Sequence, residues 1–273
     1  DLNIPLVHKI WLDHVVSRFI FESARTVKCD AAKAAFAAAG EGVVWAVADT
    51  GIDGSHFHFR THRTLELPDG LQHMDFTTSP TGDDPLRDED GHGSHVAGII
   101  AGETRCGAVG SSHTEMPQAI VVRQKVRDSD VSVSEVEDRK RTEISGIAPK
   151  CKLVSLKVLR KGAAGTVGAL LAALGYIQRA NDNGRHIRIH GVNLSLGYTF
   201  DAKWFAAGAS PLCVEVDRLV KSGVVVVVAA GNSGYGTVQS LAGTTERASH
   251  LATISDPGNS ELAITVGSTH RTS

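Results

Sequence analysis

Short runs of apolar residues alternate along the chain with longer segments in which apolar and polar residues are mixed. Residues 43–48 (VVWAVA) and 224–229 (VVVVVA) are almost wholly apolar, and each run is bounded by glycine or polar turn residues. This pattern predicts strands that are buried on both faces of a sheet. Residues 152–158, 191–196 and 262–266 are further strand candidates, because each places branched apolar residues within a strand-sized span.

Helical segments separate these strands. Their predicted positions are 30–39, 93–101, 165–181 and 212–222. The first is alanine-rich, with Asp30 as a plausible N-cap and Gly40 as its end. Strands that alternate with helices at this spacing predict an α/β fold with a doubly wound, mainly parallel central sheet, right-handed crossovers and helices on both faces.

Two segments interrupt the alternation. Residues 52–90 are polar and rich in histidine, which predicts a loop region. Residues 103–143 are charged and show little periodicity, so we expect an inserted surface loop that is partly mobile.

Composition limits the functional classes. The 273 residues, with 42% hydrophobic side chains and 28 glycines, suffice for one large α/β domain. A net charge of −2 gives no reason to expect nucleic acid or an anionic membrane as partner, and the longest apolar run is too short to span a bilayer. The four cysteines lie far apart and read as isolated thiols, which leaves one long-range disulfide open. Cysteines scattered in this way weakly favour a cytoplasmic location, and the compartment is otherwise unknown.

Three motifs carry candidate chemistry. Asp49 follows the first predicted strand, at the sheet edge where functional groups collect in open α/β folds. His92 lies between two glycines at the start of a helix of small residues, and core packing does not explain a histidine in that position. Asn232 follows residues 224–229 on a glycine-bracketed turn, where its amide could donate to a developing oxyanion. Taken singly, each residue also has a structural interpretation: a turn aspartate, a structural histidine and a turn asparagine.

Together the three segments resemble the subtilisin family of serine peptidases, from about residue 30 to the end. The sequences D-T-G-I-D, D-G-H-G-S-H-V-A-G and A-A-G-N-S-G occur in the order of that family. The resemblance implies that Asp49 orients and stabilises an imidazolium, that His92 is the general base and then the acid, and that Asn232 helps to bind the tetrahedral oxyanion.

The resemblance also implies a substrate cleft. Its lining would be Ser195, Leu196 and Gly197 along the substrate backbone, with Ala230, Gly231 and Ser255 around the residue that precedes the scissile bond. A wall of alanine and glycine admits large apolar side chains, whereas Asp256 beside the pocket would favour basic ones. The cleavage preference therefore stays open, and the expected partner is a peptide or protein substrate.

The nucleophile of the resembled family is missing. In that family the serine lies in a G-T-S-x-A-x-P segment that opens a helix downstream of the asparagine, and no such segment occurs here. Ser273 comes too early and lacks the glycine before its threonine. We therefore expect a serine endopeptidase domain whose C-terminal part, with the serine, lies in a complementary segment outside this chain, so that the chain alone is inactive. The alternative is a serine-less pseudopeptidase that acts as a binding scaffold.

The N-terminus suggests a zymogen. Residues 7–13 (VHKIWLD) look like the closing strand of the family's propeptide. Residues 1–22 would then be the end of a propeptide, or an ordinary N-terminal extension, and residues 23–273 the incomplete peptidase domain.

Other site classes find less support. Four histidines lie close together in sequence at His56, His58, His62 and His73, but no cysteine or clear carboxylate completes a site, and no carboxylate spacing marks a calcium loop. We expect neither metal nor cofactor. An aspartic peptidase would need a second Asp-Thr-Gly loop on a mostly β fold, and residues 231–236 lack the glycine spacing of a dinucleotide site.

Overall fold

A parallel sheet forms the centre of the computed structural model. The structure describes residues 24, 27–77, 83–106, 120–127, 133–163, 165–199, 203, 205–239, 245–249 and 253–268. Their strands are β1 Val44–Asp49, β2 Met74–Asp75, β3 Glu103–Arg105, β4 Ile120–Arg127, β5 Val133–Arg141, β6 Glu143–Ser145, β7 Lys152–Lys157, β8 Gly191–Leu194, β9 Val225–Ala229, β10 Tyr235–Gln239, β11 Thr245–Ser249 and β12 Ile264–Val266. The central sheet has the order β12-β9-β8-β1-β7-β2, and every neighbouring pair in it is parallel.

Side chains cap the starts of two of the four described helices. In the described residues they are α1 Cys29–Phe36, α2 His92–Ala101, α3 Val167–Ala180 and α4 Pro211–Lys221. The Thr166 hydroxyl accepts the Ala169 N–H at 3.1 Å, which caps the free donors at the start of α3. Ser210 caps α4 in the same way, and proline stands in the first turn, where its missing N–H costs nothing.

The core lies on both faces of the sheet. Strand β1 shows this directly, because Val44, Ala46 and Ala48 pack into a cluster with α3 and α4, whereas Val47 packs into a second cluster with α2. Side chains alternate between the two faces of a strand, so a strand covered on both sides must be apolar throughout. This explains the unbroken apolar run of β1 and confirms the predicted doubly wound, mainly parallel sheet with helices on both faces.

Where the sequence predicted an inserted surface loop over residues 103–143, the described segments 103–106, 120–127 and 133–143 contain strands. Strands β3 and β6 pair antiparallel at the base of the segment, and β4 and β5 form an antiparallel ladder beyond them. Charged residues occupy many positions of β4 and β5, and the register sets Lys125 opposite Glu135. This composition hides the alternation of apolar and polar residues that identifies a half-buried strand. A further unpredicted antiparallel pair, β10 with β11, follows Asn232.

Two predictions concern residues that the structure does not describe. The proposed propeptide end at residues 1–22 and the terminal Ser273 both lie outside the described residues. Within the described part of the chain, no helix is both long enough and apolar enough to cross a membrane.

Candidate active site

Three neighbouring strands deliver the candidate residues to one edge of the sheet. Strand β1 ends at Asp49, β8 ends just before Ser195, and β9 ends just before Ala230. The three strands are adjacent and parallel in the order β9-β8-β1, so their carboxyl ends share the same edge. With strands about 4.8 Å apart, the segments that follow them begin within about 10 Å of one another.

Asp49 is a buried carboxylate. Only 1% of the residue is exposed, and its Oδ1 accepts hydrogen bonds from the Thr50 N–H at 2.8 Å and from His92. Oδ2 is also buried, and no donor among the described residues contacts it. Burial raises the pKa of Asp49 above its ordinary value, against the opposing effect of the hydrogen bonds from His92 and Thr50.

His92 stands at the first position of α2 and contacts Asp49. The two side chains approach to 2.7 Å between Nδ1 and Oδ1. An ionised carboxylate can only accept, so Nδ1 carries the hydrogen and Nε2 is free to take a proton. The His92 side chain is 48% exposed, in contrast to its buried partner. A buried acceptor therefore orients an imidazole that solvent and substrate can reach.

The glycines around His92 permit this approach. Gly91 has a φ of 91°, a left-handed conformation that glycine adopts without strain. A Cβ on Gly93 would lie 2.1 Å from the Gly51 carbonyl oxygen and 3.1 Å from the Asp49 Cβ. The start of α2 thus packs directly on the turn after β1.

Several of the predicted pocket residues contact one another. Ser255 donates its N–H to the Ala230 carbonyl at 3.1 Å, and a Cβ on Gly231 would lie 2.5 Å from the Ser255 Oγ. A Cβ on Gly197 would lie 3.1 Å from the Ser255 Cβ. Ser195 and Leu196 continue from β8, are partly buried and lead into Gly197. Asn232 follows on the exposed turn after β9, at the same sheet edge.

Asp256, next to Ser255, is buried. The residue is 1% exposed, and its Oδ1 accepts the Asn259 side-chain N–H at 2.8 Å. Its backbone pairs with Tyr198 in both directions, at 2.9 and 3.0 Å. Its Oδ2 is also buried, and no donor among the described residues contacts it. Because the Asn259 amide is neutral, the carboxylate charge is not neutralised by that contact, and the choice between large apolar and basic side chains stays open.

The clustered histidines have protein partners. His58 Nδ1 lies 2.6 Å from the Thr104 hydroxyl, and His62 Nε2 lies 3.1 Å from a Glu103 carboxylate oxygen. His73 accepts the Ser155 N–H on Nδ1, and burial lowers its pKa, so its ring is neutral. In the part of the chain that the structure describes, no group of three or more histidine, cysteine or acidic side chains could hold a metal ion.

The cysteines form no disulfide, and all four, Cys29, Cys106, Cys151 and Cys213, lie in the described residues. Burial raises the pKa of Cys151 and of Cys213 to about 11. Neither buried thiol has the lowered pKa of a nucleophile.

Sequence reasoning missed Asp88. Its carboxylate lies between the turn after β1 and the start of α2, where it accepts hydrogen bonds from Thr50 and Ser94. The signal that could have found it is an aspartate three residues before the Gly91 N-cap, close enough for its carboxylate to accept N–H groups from the first turn of the helix.

Comparisons with known proteins agree with the fold and the motifs. The profile of the subtilase family (peptidase S8) matches residues 40–273. Subtilisin DY of Bacillus licheniformis is 28% identical over 204 residues, which are 75% of this chain and 52% of the relative. Subtilisin Savinase of Lederbergia lenta is 29% identical over 199 residues, which are 73% of this chain and 51% of the relative. This chain thus spans about half the length of these two relatives.

A solved structure is also similar. The crystal structure of MycP1 with the N-terminal propeptide removed matches with a TM-score of 0.49 and 21% sequence identity, over 90% of this chain and 62% of that chain. The family match itself extends over β1, α2, β8 and β9, the elements that carry the candidate site. The chain therefore belongs to the subtilase family.

Proposed function

We propose that this chain is the larger part of a serine endopeptidase that hydrolyses peptide bonds in peptide or protein substrates. The observation that carries the proposal is the 2.7 Å contact between His92 Nδ1 and the buried Asp49 carboxylate at the carboxyl edge of the sheet. A buried carboxylate that orients an exposed imidazole is the arrangement that serine-dependent acyl transfer requires.

The proposed mechanism follows from these positions. His92 Nε2 takes the proton of a serine hydroxyl as the serine oxygen attacks the scissile carbonyl, and Asp49 stabilises the imidazolium that forms. Asn232 donates a side-chain N–H to the oxyanion of the tetrahedral intermediate. His92 then gives its proton to the leaving amine. In the second half of the reaction His92 takes a proton from water as the water oxygen attacks the acyl-enzyme, and it returns that proton to the departing serine oxygen.

The nucleophilic serine is assigned to a complementary segment outside these 273 residues. The sequence holds no G-T-S-x-A-x-P segment. In subtilisin, a member of the same family, loss of the serine lowers kcat by about 10⁶-fold, nearly as much as loss of the whole triad. We therefore expect residues 1–273 alone to be inactive.

We assign two groups of residues to the two walls of the substrate cleft. Ser195, Leu196 and Gly197 extend β8 and would pair with the substrate backbone, and Ala230 and Gly231 would flank the side chain that precedes the scissile bond, with Ser255 at the base. The close approach of Gly197, Gly231 and Ser255 supports this assignment. The preference for the side chain before the scissile bond stays open, because glycine and alanine admit large apolar groups whereas the buried Asp256 carboxylate would favour basic ones.

A hydrolysis assay tests the proposal. Protein expressed from the complete reading frame should cleave a fluorogenic casein substrate, and His92→Ala should lower the rate by at least about 10⁴-fold. The control is His186→Ala, an exposed histidine whose only described ion pair is with Asp182. Its rate should equal that of the parent. Equal rates for all three proteins, or no cleavage by the parent, would overturn the proposal.

The second candidate is a pseudopeptidase scaffold, which the missing serine motif favours. It predicts a reading frame with a stop codon directly after residue 273, or with a different residue in place of the serine. A G-T-S-x-A-x-P segment in that frame excludes it.

We further propose that residues 1–22 end a propeptide and that residues 23–273 belong to the peptidase domain. N-terminal sequencing of the active protein tests this division. Cleavage near residue 22 supports it, and an N-terminus at or before residue 1 contradicts it.

A further inference from the structure

One carboxylate behind the proposed catalytic pair collects five hydrogen bonds. Asp88 Oδ1 accepts from the Thr50 hydroxyl at 2.9 Å and from the N–H groups of Asp90 and Gly91 at 3.2 and 2.9 Å. Asp88 Oδ2 accepts from the N–H and hydroxyl of Ser94 at 2.8 and 2.6 Å. Both oxygens therefore accept hydrogen bonds, and the donors come from the turn after β1 and from the start of α2 with the residues just before it.

The Thr50 hydroxyl joins the two catalytic elements directly. It donates to Asp88 and accepts the Gly93 N–H at 2.9 Å. Thr50 immediately follows Asp49, and Gly93 immediately follows His92. The residues adjacent to the carboxylate and to the imidazole thus share one buried hydroxyl, whose direction Asp88 determines.

The segment that carries Asp88 is itself fixed to the sheet. The buried Lys157, at the end of β7, contacts the Asp83 carboxylate at 2.8 Å and donates to the Arg87 carbonyl at 2.7 Å. The Ser155 hydroxyl donates to the Pro85 carbonyl at 2.6 Å. These contacts hold residues 83–88 against β7, which leaves Asp88 little freedom to move.

The charge of Asp88 is retained in this setting. Burial alone would raise the pKa of its carboxyl, but the hydrogen bonds from Ser94, Gly91 and Thr50 outweigh burial and lower it. The carboxylate is therefore a permanent acceptor at neutral pH.

We propose that Asp88 is a positioning residue that sets the distance between the Asp49 carboxylate and the His92 imidazole. It never contacts the substrate, and it acts through Thr50 and through the first turn of α2. The inference rests on the proposed function, because the distance between the carboxylate and the imidazole affects the rate only if Asp49 and His92 catalyse the proposed hydrolysis. A displacement of about 1 Å in such a contact lowers the rate by about 100-fold.

The first test measures the contact itself and needs no nucleophile. In ¹⁵N-histidine-labelled protein, the His92 Nδ1 proton should give a low-field ¹H resonance that His92→Ala removes. Asp88→Asn should weaken or abolish that resonance, because asparagine offers one acceptor oxygen where two are used, and its NH₂ group opposes another donor. Asp90→Asn is the matched control. It removes an equal charge two residues away, and its exposed side chain should leave the resonance unchanged.

A second pair of variants separates positioning from folding. Thr50→Val removes the shared hydroxyl at nearly constant volume, whereas Thr50→Ser keeps it. The valine variant should lose the resonance and the serine variant should retain it. Folded Asp88→Asn and Thr50→Val variants, verified by circular dichroism, that keep the parent resonance would overturn the inference.

Kinetics provide the second measurement. In the active full-length protein, Asp88→Asn should lower kcat by about 100-fold and leave KM within about twofold, because the substrate contacts are untouched. Unchanged kcat would contradict the positioning role. If the full-length protein hydrolyses nothing, the proposed function fails, and the resonance of His92 still decides the role of Asp88.

Discussion

At the scale of single residues, the site depends on a charge that the fold has buried. Asp49 is enclosed by the neighbouring strands, and burial raises its pKa, so its ionised form is less stable in the folded protein than in water. The same burial makes it a strong acceptor for the His92 N–H. Function and stability therefore make opposite demands on this residue.

Asp49→Asn should lower activity and raise stability. In the active protein kcat should fall by about 10⁴-fold, because an amide stabilises the wrong imidazole tautomer. In a hydrolysis assay, the exposed Asp69→Asn serves as control and should match the parent.

The stability effect has a defined pH dependence. A raised folded pKa means that ionised Asp49 destabilises the fold above that pKa, so Asp49→Asn should unfold at a higher temperature than the parent at pH 7. The difference should shrink as the pH falls through the raised pKa of the folded state, and vanish only below about pH 3, beneath the unfolded-state pKa of about 3.9, where Asp49 is protonated in both states. A lower melting temperature of the variant at pH 7 would contradict the assigned burial cost.

At the scale of elements, the start of α2 must approach the turn after β1 without a side chain between them. Gly93→Ala should destabilise the fold by about 1–3 kcal/mol and lower kcat, since its Cβ would lie 2.1 Å from a backbone oxygen that cannot rotate away. Gly168→Ala in α3 is the matched control, because its Cβ meets nothing closer than 3.9 Å. That control should gain about 0.5–1 kcal/mol. Chemical denaturation measures both, and equal effects would contradict the packing argument.

The elements also show what the sequence could and could not reveal. Strand β1 was predictable, because burial on both faces requires an unbroken apolar run. Strand β9 was predicted as a strand for the same reason, but its expected burial on both faces is wrong, since Val226 and Val228 are buried whereas Val225 is 43% exposed. The ladder of β4 and β5 was not, because its charged residues mask the strand period. Asp49 and His92 were predictable from motifs, whereas Asp88 was not, since an aspartate before a helix is common and only the three-dimensional contact to Thr50 distinguishes it.

At the scale of the whole molecule, the packed core on either side of the central strands is inaccessible to reagents. Cys151 and Cys213 are buried with a pKa of about 11, whereas Cys29 and Cys106 are partly exposed. Iodoacetamide at pH 8 should therefore alkylate Cys29 and Cys106 much faster than the other two, as mass spectrometry of tryptic peptides would show. In guanidinium chloride all four should react at similar rates. Rapid alkylation of Cys151 or Cys213 in the native protein would contradict the packed core.

The central claim is that Asp49 and His92 activate a serine that lies outside residues 1–273. The most direct test is to treat the protein from the complete reading frame with a serine-directed phosphonate and to map the adduct by peptide mass spectrometry. The account predicts one adduct, on a serine beyond residue 273, that His92→Ala abolishes, and no adduct on residues 1–273 expressed alone. An adduct on a serine within residues 1–273, or labelling that persists in His92→Ala, would contradict it.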